Sequence, residues 1–574
     1  MDILFLGKEA KSIMSILNSI SNIFHSHSKS TGWALQNEIT RMGFDDDKKQ
    51  SGVVLGINPY TRKLMLEDSN HHVLLAAPTR SGKGVNTILP TSLLWKDSLF
   101  CFDYKRELYA ETSGYRSQML GQKIIEFSPS CDGGTSHWNP LSEIRLRTKE
   151  EWPDAFRIAQ ILVAGKDANS SKIWTTKTAS LIAAVMLHLL YKRNLEGKRM
   201  PNLHDVQQFF KAEDFETQLE AMTSFPHITE DEFFEQEDID PEYRFSIPSD
   251  EHPIPQNPFC AAYGEYIRDF QPFQQDLGGT GNVHSISDLR EAMSTRRQMI
   301  SFQNEPWCVL LTHPKVRETC LSVYLETSKE ARATILTYAR MALDVFGNAT
   351  IYKNLEASDF SIRDLLDASK NISLYFTYSV QERALQSPVA HLFVSMLLDA
   401  VSLSDAADSH SKHPHLLVLL DDSDMLGYLD NLQPALVVCG TKGTRILVSA
   451  HNLDELAKTY GDANRISSNC GIQLYFTPNS TGSMTGDAIA AKLDGKVALR
   501  GNALTSKDIM NMSSKRGILF VDDNNPMSNW MTSLERIHAF ARRSSNPSSS
   551  RLFAGWTTLS RSAGKGRNGQ ASSR

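Results

Sequence analysis

The stretch "HHVLLAAPTRSGKGVNTILP", beginning at His71, constrains this chain more than any other. A run of β-type apolar residues passes through a short polar loop into a helical pattern, and the loop carries Gly82-Lys83. That order fits a phosphate-binding loop, G-x-x-x-x-G-K-[ST], with Ala77 at the first Gly and Gly84 at the hydroxyl position. Backbone N–H groups of Thr79 through Gly84 can cradle phosphates at the helix N-terminus, and Lys83 is a point charge for the β and γ phosphates. Ala77 suits the turn if its φ stays negative. Gly84 removes a hydroxyl ligand to Mg²⁺, a place that water can take. Pro78, Thr79, Arg80, Ser81, Gly82, Lys83, Gly84 and Val85 are the expected nucleotide contacts.

The surrounding pattern is α/β. "SGVVLGINPYTRKLML" reads as short strands around a turn, "SLFCFDYK" and "QKIIEFSP" as further strands, and "KRELYAETSGYRSQMLG" as a helix. Pro90 is expected to bend or end the helix that follows the loop. From about Glu150 to Asn354 the periodicity turns helical, as in "DAFRIAQILVAG" and "KEARATILTYARMALDVF". Strand-type runs then return in "NISLYFTYS", "HLLVLLDD", "TRILVSAH" and "GIQLYFTP". Short apolar strands alternating with helices imply a mostly parallel sheet, here split by an all-α insertion.

A phosphate loop in the first half demands an acidic Mg²⁺ ligand at the end of a buried strand in the second. "HPHLLVLLDDSDMLG" meets that demand: Leu416 to Leu420 is a continuous apolar run that ends in Asp421 and Asp422. The first acid suits Mg²⁺ held through water, and the next suits the orientation and deprotonation of an attacking water. Adjacent carboxylates at a buried edge are costly without a cation. The bland alternative, a solvated acid cluster with Asp424, loses weight once the loop at Lys83 is counted.

Composition sets the outer limits. At 574 residues and 41% hydrophobic content, two to four ordinary globular domains are expected. The net charge of −6 is no global sign of nucleic-acid binding, although a local basic channel is compatible with it. Seven dispersed cysteines without a C-x-x-C pair argue against a disulfide framework or a zinc site, and suit a reducing cytosol. The longest apolar stretch, "ASLIAAVMLHLLY", is shorter than a membrane span, so a soluble protein is expected. The N-terminal amphipathic segment is read as a helix covering a core, with contact to a membrane or a partner as the other reading. Lys211 to Glu251 carries fourteen acidic and two basic residues and reads as a solvated, loosely structured insertion. The Ser-rich basic end reads as a disordered tail.

Several ordered motifs together resemble the type IV secretion coupling proteins of the TraG/VirD4 kind. They are the loop segment, "FCFDYKRELYAETSGYR", "EFSPSCDGGTSHWNPL", "SDFSIRDLLDASKNISLYFTYS", "LLVLLDDSDMLGYLDNLQPAL" and "GTRILVSAHNLDELAKTYGDANRISSNC". The resemblance runs from roughly Trp33 to Phe520, apart from the acidic insertion. It implies a RecA-like P-loop NTPase core, ATP and Mg²⁺ as ligands, and a hexameric ring at the bacterial inner membrane. Its implied partners are DNA, expected as single strand with a relaxase, and the components of a secretion channel. Gly after the loop lysine is common in the family. The implied division is an N-terminal helical segment at 1–50, nucleotide-binding parts at 51–148 and 356–543, an all-α insertion at 149–355 with an acidic loop at 211–258, and a tail at 544–574.

The resemblance assigns Asp421 to Mg²⁺, Asp422 to the catalytic base and His451 to the γ-phosphate sensor. Arg445 and Lys442 are the candidates for a cation reaching a neighbouring subunit. Four departures stand out, one of them Tyr104 and Arg106 in place of the Pro and Gly of the family's D-P-K-G-E. Asp422 replaces a Glu, which shortens its reach by roughly 1.5 Å, a misplacement that can cost about 100-fold. His451 replaces a Gln. The membrane helices usual at the family's N-terminus are not evident, so membrane contact is expected to be peripheral or through partners. Three readings follow: a DNA-transfer coupling ATPase, a nucleotide-gated substrate receptor with little hydrolysis, and, more weakly, a DNA-pumping motor of the FtsK/HerA sort.

Overall fold

A computed structural model of the chain describes residues 33–164, 172–229, 311–377, 380–404, 414–461, 464–477, 484–493, 498–499, 502–512, 516–521 and 527–530. The N-terminal amphipathic segment, most of the acidic insertion and the basic tail lie outside them. The strands in chain order are β1 (Val53–Ile57), β2 (Leu64–Glu67), β3 (Val73–Ala76), β4 (Ser98–Asp103), β5 (Lys123–Phe127), β6 (Ile372–Thr377), β7 (Leu416–Leu420), β8 (Thr444–Ala450), β9 (Ile472–Phe476), β10 (Ala498–Leu499), β11 (Asn502–Ala503), β12 (Arg516–Val521) and β13 (Met527–Trp530). Contacts divide the chain into two units, Met1–Lys96 with Arg445–Arg574, and Asp97–Thr444.

The first unit arranges its strands in the order β2-β1-β13-β12-β9-β3-β8, with Thr444 of β8 marking the boundary. β3 lies parallel between β8 and β9, while β12 runs antiparallel to β9 and to β13. Every residue of β3 and β8 is buried, as expected for central parallel strands rich in Val, Ile and Leu. The helix after the loop does not end at Pro90. It opens as a π-helix over Gly84–Ile88, where the Leu89 N–H donates to the Gly84 carbonyl, and continues as Leu89–Leu94. Proline has no N–H for the regular α bond, and the wider turn lets the backbone pass it unbroken.

The second unit has the all-parallel order β7-β4-β6-β5. Its β4 and β7 are wholly buried. Between β5 and β6 the named elements are all helical, including Glu151–Ala164, Lys172–Glu196, Leu203–Lys211 and Lys329–Leu343. Phe127, Trp138, Phe376 and Phe393 pack as one aromatic cluster, with Trp138 and Phe393 ring centroids 4.7 Å apart. Asn139 of the "HWNPL" motif caps the following turn through Leu141 N and donates to the Pro201 carbonyl at 2.9 Å.

One expectation is corrected. The start of the acidic stretch is ordered: Phe215–Met222 is a helix that buries Phe215, Leu219 and Met222, an i, i+4, i+7 face that the charge count concealed. Lys172–Glu196 and Arg383–Leu403 are long and apolar enough to cross a membrane by length and composition, since a helix is judged over its whole window and not by its longest uninterrupted run. In each, 61% of that window is buried inside the fold. The five described cysteines are all free.

Candidate functional site

The expected site residues are divided between the two units. In the first unit, β3 delivers the loop and β8 delivers His451. Ala76 pairs with Ala450, and the Ala77 N–H donates to the Ala450 carbonyl at 2.9 Å. The loop mouth and His451 therefore leave neighbouring strands in step. Ala77 is buried, Pro78 half-buried, and Thr79 and Arg80 exposed. Ser81, Gly82, Lys83 and Gly84 are half-buried, and Val85 is exposed. The Ser81 N–H closes a turn onto the Pro78 carbonyl at 3.1 Å.

Two residues take left-handed backbone here, Arg80 at φ 62° and Gly82 at φ 87°. Gly82 is required twice over. Its φ favours glycine, and an added Cβ would stand 2.5 Å from Asn86 Nδ2, which donates to the Gly82 carbonyl at 2.7 Å. Gly84 is different: a Cβ there meets nothing within 4 Å. The missing hydroxyl is therefore not excluded by space. Ser81 Oγ is buried without a hydrogen-bond partner, an orphan polar atom that suits an anion-binding loop.

In the second unit, β4 and β7 pair in parallel with Phe102 opposite Leu420, so Asp103 and Asp421 follow side by side. Asp103 is buried and accepts from the Glu107 and Tyr109 N–H groups at 3.1 and 2.7 Å. Burial pushes its carboxyl up to about 6, the Asp421 charge adds to that, and backbone N–H groups oppose it. Asp422 is buried and takes left-handed backbone at φ 49°, and Lys105 Nζ lies 3.9 Å from its Oδ2. Carboxylates crowded at the ends of two buried strands, with the charge of Asp103 resisted by burial, fit a divalent cation.

Arg445 does not fit the expectation attached to it. Its side chain is fully enclosed. Its Nη1 donates to the Glu67 carbonyl at 2.7 Å and its Nη2 to the Glu67 carboxylate at 3.2 Å, and the guanidinium lies 5.9 Å from the Trp95 ring centroid. A group so enclosed has no reach to a neighbouring subunit. Sequence reading saw a strand-edge cation because its partner, Glu67, lies far back in the chain. Lys442 is half-buried and donates to the Ser404 carbonyl. Sequence reading also missed the Asn86 clip on Gly82, whose signal was the Asn four residues beyond the glycine.

A family model described as type IV secretory system conjugative DNA transfer matches residues 32–249 and 289–517. The chain is 26% identical over 420 residues to a conjugal transfer protein TraG of Escherichia coli, covering 71% of this chain and 53% of that protein. It is 29% identical over 163 residues to the protein VirD4 of Agrobacterium fabrum, covering 27% of this chain and 24% of that one. The chain thus spans about half the length of the TraG relatives it matches. Solved structures of the plasmid coupling protein TrwB superpose with a TM-score of 0.54 at 15% identity, among them the unbound form and a complex with ADP and Mg²⁺. Each covers 88% of this chain. The fold is therefore the RecA-like α/β core with a helical insertion that the resemblance implied.

Proposed function

The chain belongs to the type IV secretory system conjugative DNA transfer family, and on that premise we propose that it is an ATP-driven coupling protein. In this reading it recruits a DNA–relaxase or protein substrate and passes it to a type IV secretion channel. It works as a homo-hexameric ring in the cytoplasm, reaching the inner membrane peripherally or through partners. The observation that carries the reading is the pairing of two features. One is a phosphate loop in step with the strand bearing His451. The other is an acid pair at the end of the buried β7.

In the proposed mechanism the loop N–H groups and Lys83 would hold the phosphates of ATP, and Asp421 would hold Mg²⁺. Bound Mg²⁺ supplies charge neutralisation at the phosphates. Asp422 takes the proton of the attacking water as its oxygen adds to the γ-phosphorus and the bond to the ADP oxygen breaks. His451 donates a hydrogen bond to the γ-phosphate. The orphan Ser81 Oγ supports the loop's part in this.

The nucleotide-gated receptor is kept as a second reading because Asp422, the shorter acid, is also the residue held in left-handed backbone. Equilibrium binding of a fluorescent ATP analogue to wild-type and Lys83→Ala protein tests the common ground of both readings. Loss of binding in the variant is expected, and wild-type affinity in it would remove the nucleotide assignment.

A further inference from the structure

A cleft of about 590 Å³ opens at the carboxyl ends of β4, β5 and β6, wholly within the second unit. None of the loop residues 78–85 lines it. Crevices at the carboxyl ends of parallel strands are where open α/β sheets take ligands. Two helices start at this one: Glu107–Leu120, directly after Lys105 and Arg106, and Arg383–Leu403, directly after Glu382. Both are long enough for their N-terminal dipoles to favour an anion.

The side chains are pre-set. Arg106 takes left-handed backbone at φ 59° and forks onto Glu126 through Nε and Nη2, at 2.5 and 2.9 Å. Its guanidinium lies 5.0 Å from the Tyr109 ring centroid, with the side chain still 60% exposed. Lys105, whose Nζ lies 3.9 Å from Asp422, is 49% exposed. The two carboxylates of the cleft are already engaged: Glu126 by Arg106 and Thr377, and Glu382 by the Ser130 hydroxyl and Gln386 Nε2.

The telling atom is Gln386 Oε1. Gln386 is fully buried and lines the cleft, yet this oxygen has no hydrogen-bond partner. An unmade bond to a buried acceptor costs about 1–3 kcal/mol, so its persistence points to a donor supplied from outside. The cleft thus offers half-open cations for an anion beside a buried acceptor for an N–H or O–H. A nucleotide unit carries both groups.

We propose that this cleft binds a nucleotide unit, its phosphate against Lys105 and Arg106 and a sugar or base donor on Gln386 Oε1. The unit comes from a free nucleotide or from a nucleic-acid strand. The inference does not rest on the phosphate loop.

The test uses full-length protein carrying Lys83→Ala, titrated at physiological salt with AMP and with a fluorescein-labelled dT oligonucleotide. Arg106→Ala, Lys105→Ala and Gln386→Met are each added to that background. Binding of at least one probe is expected, weakened about tenfold by Arg106→Ala or Lys105→Ala, as for loss of a charge-assisted bond. Binding of the oligonucleotide alone identifies a strand, and binding of AMP alone a free nucleotide. Lys105 is a half-exposed side chain, so its variant stays informative if Arg106→Ala loosens the fold through Glu126. No binding of either probe, or unchanged affinity in both cation variants, overturns the proposal. AMP or oligonucleotide binding that persists in Lys83→Ala and falls in the cation variants belongs to the cleft, whereas unchanged affinity for the fluorescent ATP analogue in Lys83→Ala alone would remove the loop assignment.

Discussion

The Ala77 N–H, one residue past the end of β3, donates to the carbonyl of Ala450, the last residue of β8, at 2.9 Å. This bond sets where both chains leave the sheet. It puts the first residue of the loop and the residue before His451 in register, so the loop and the candidate sensor are held by one ladder. A buried parallel pair is a rigid support, which suits groups that must keep a fixed geometry.

The two loop glycines should behave in opposite ways. Gly84→Ser places a Cβ in open space and should leave thermal stability unchanged or raise it by up to about 1 kcal/mol, because glycine weakens a helix. If the proposed function holds, it should also tighten Mg²⁺-dependent nucleotide binding. Gly82→Ala forces a Cβ to 2.5 Å from Asn86 Nδ2 at a φ of 87° and should destabilise by about 1–3 kcal/mol. Thermal melts of the two variants, with a Mg²⁺ titration of the first, check both statements.

Asp422 sits at φ 49°, where Asp and Asn are tolerated better than longer side chains. Asp422→Asn should therefore fold with near wild-type stability and lose turnover by at least about 100-fold if the carboxylate is the base. Asp422→Glu trades about 1 kcal/mol of backbone cost for longer reach, and turnover should rise. Unchanged turnover in both would remove the base role.

Arg445→Ala should act on stability. Its removal leaves the Glu67 carboxylate buried without its cation, a change that typically costs about 3–5 kcal/mol. Chemical denaturation of the isolated protein reads this directly. A cation serving a neighbouring subunit would instead leave stability unchanged and lower only the activity of assembled rings.

The helical part of the second unit should weaken in acid. His188 and His227 are buried, with Nδ1 of one 3.1 Å from Nε2 of the other. Burial lowers His188 to about 3, with Lys192 acting in the same direction and Glu196 against it, and burial lowers His227 as well. A depressed histidine contributes its full stability above the unfolded value near 6.5 and loses it as pH falls toward the folded value. Between pH 7 and 5, His188 alone should cost about 2 kcal/mol. Thermal melts should show that loss, reduced in His188→Gln; a flat profile in wild-type protein would contradict it.

The parts of this molecule set by local pattern were readable in the chain. β3 and the loop follow from an apolar run meeting Gly82-Lys83, and β7 from "LLVLL" ending in Asp421 and Asp422. What stayed hidden depends on distant partners or on backbone angles. Nothing near Arg445 announces Glu67, and nothing in "LLDDSD" announces a left-handed Asp422. β12 and β13 depend on pairing with each other and with β9 and β1. The cleft is assembled from residues between Lys105 and Gln386, brought together only when β6 returns beside β4 and β5.

The most direct test of the account is ATP turnover by purified wild-type protein, with and without single-stranded DNA, beside Lys83→Ala. The coupling-ATPase reading predicts turnover that DNA stimulates and that Lys83→Ala abolishes. Tight Mg-ATP binding without turnover in any condition would contradict it and favour a nucleotide-gated receptor.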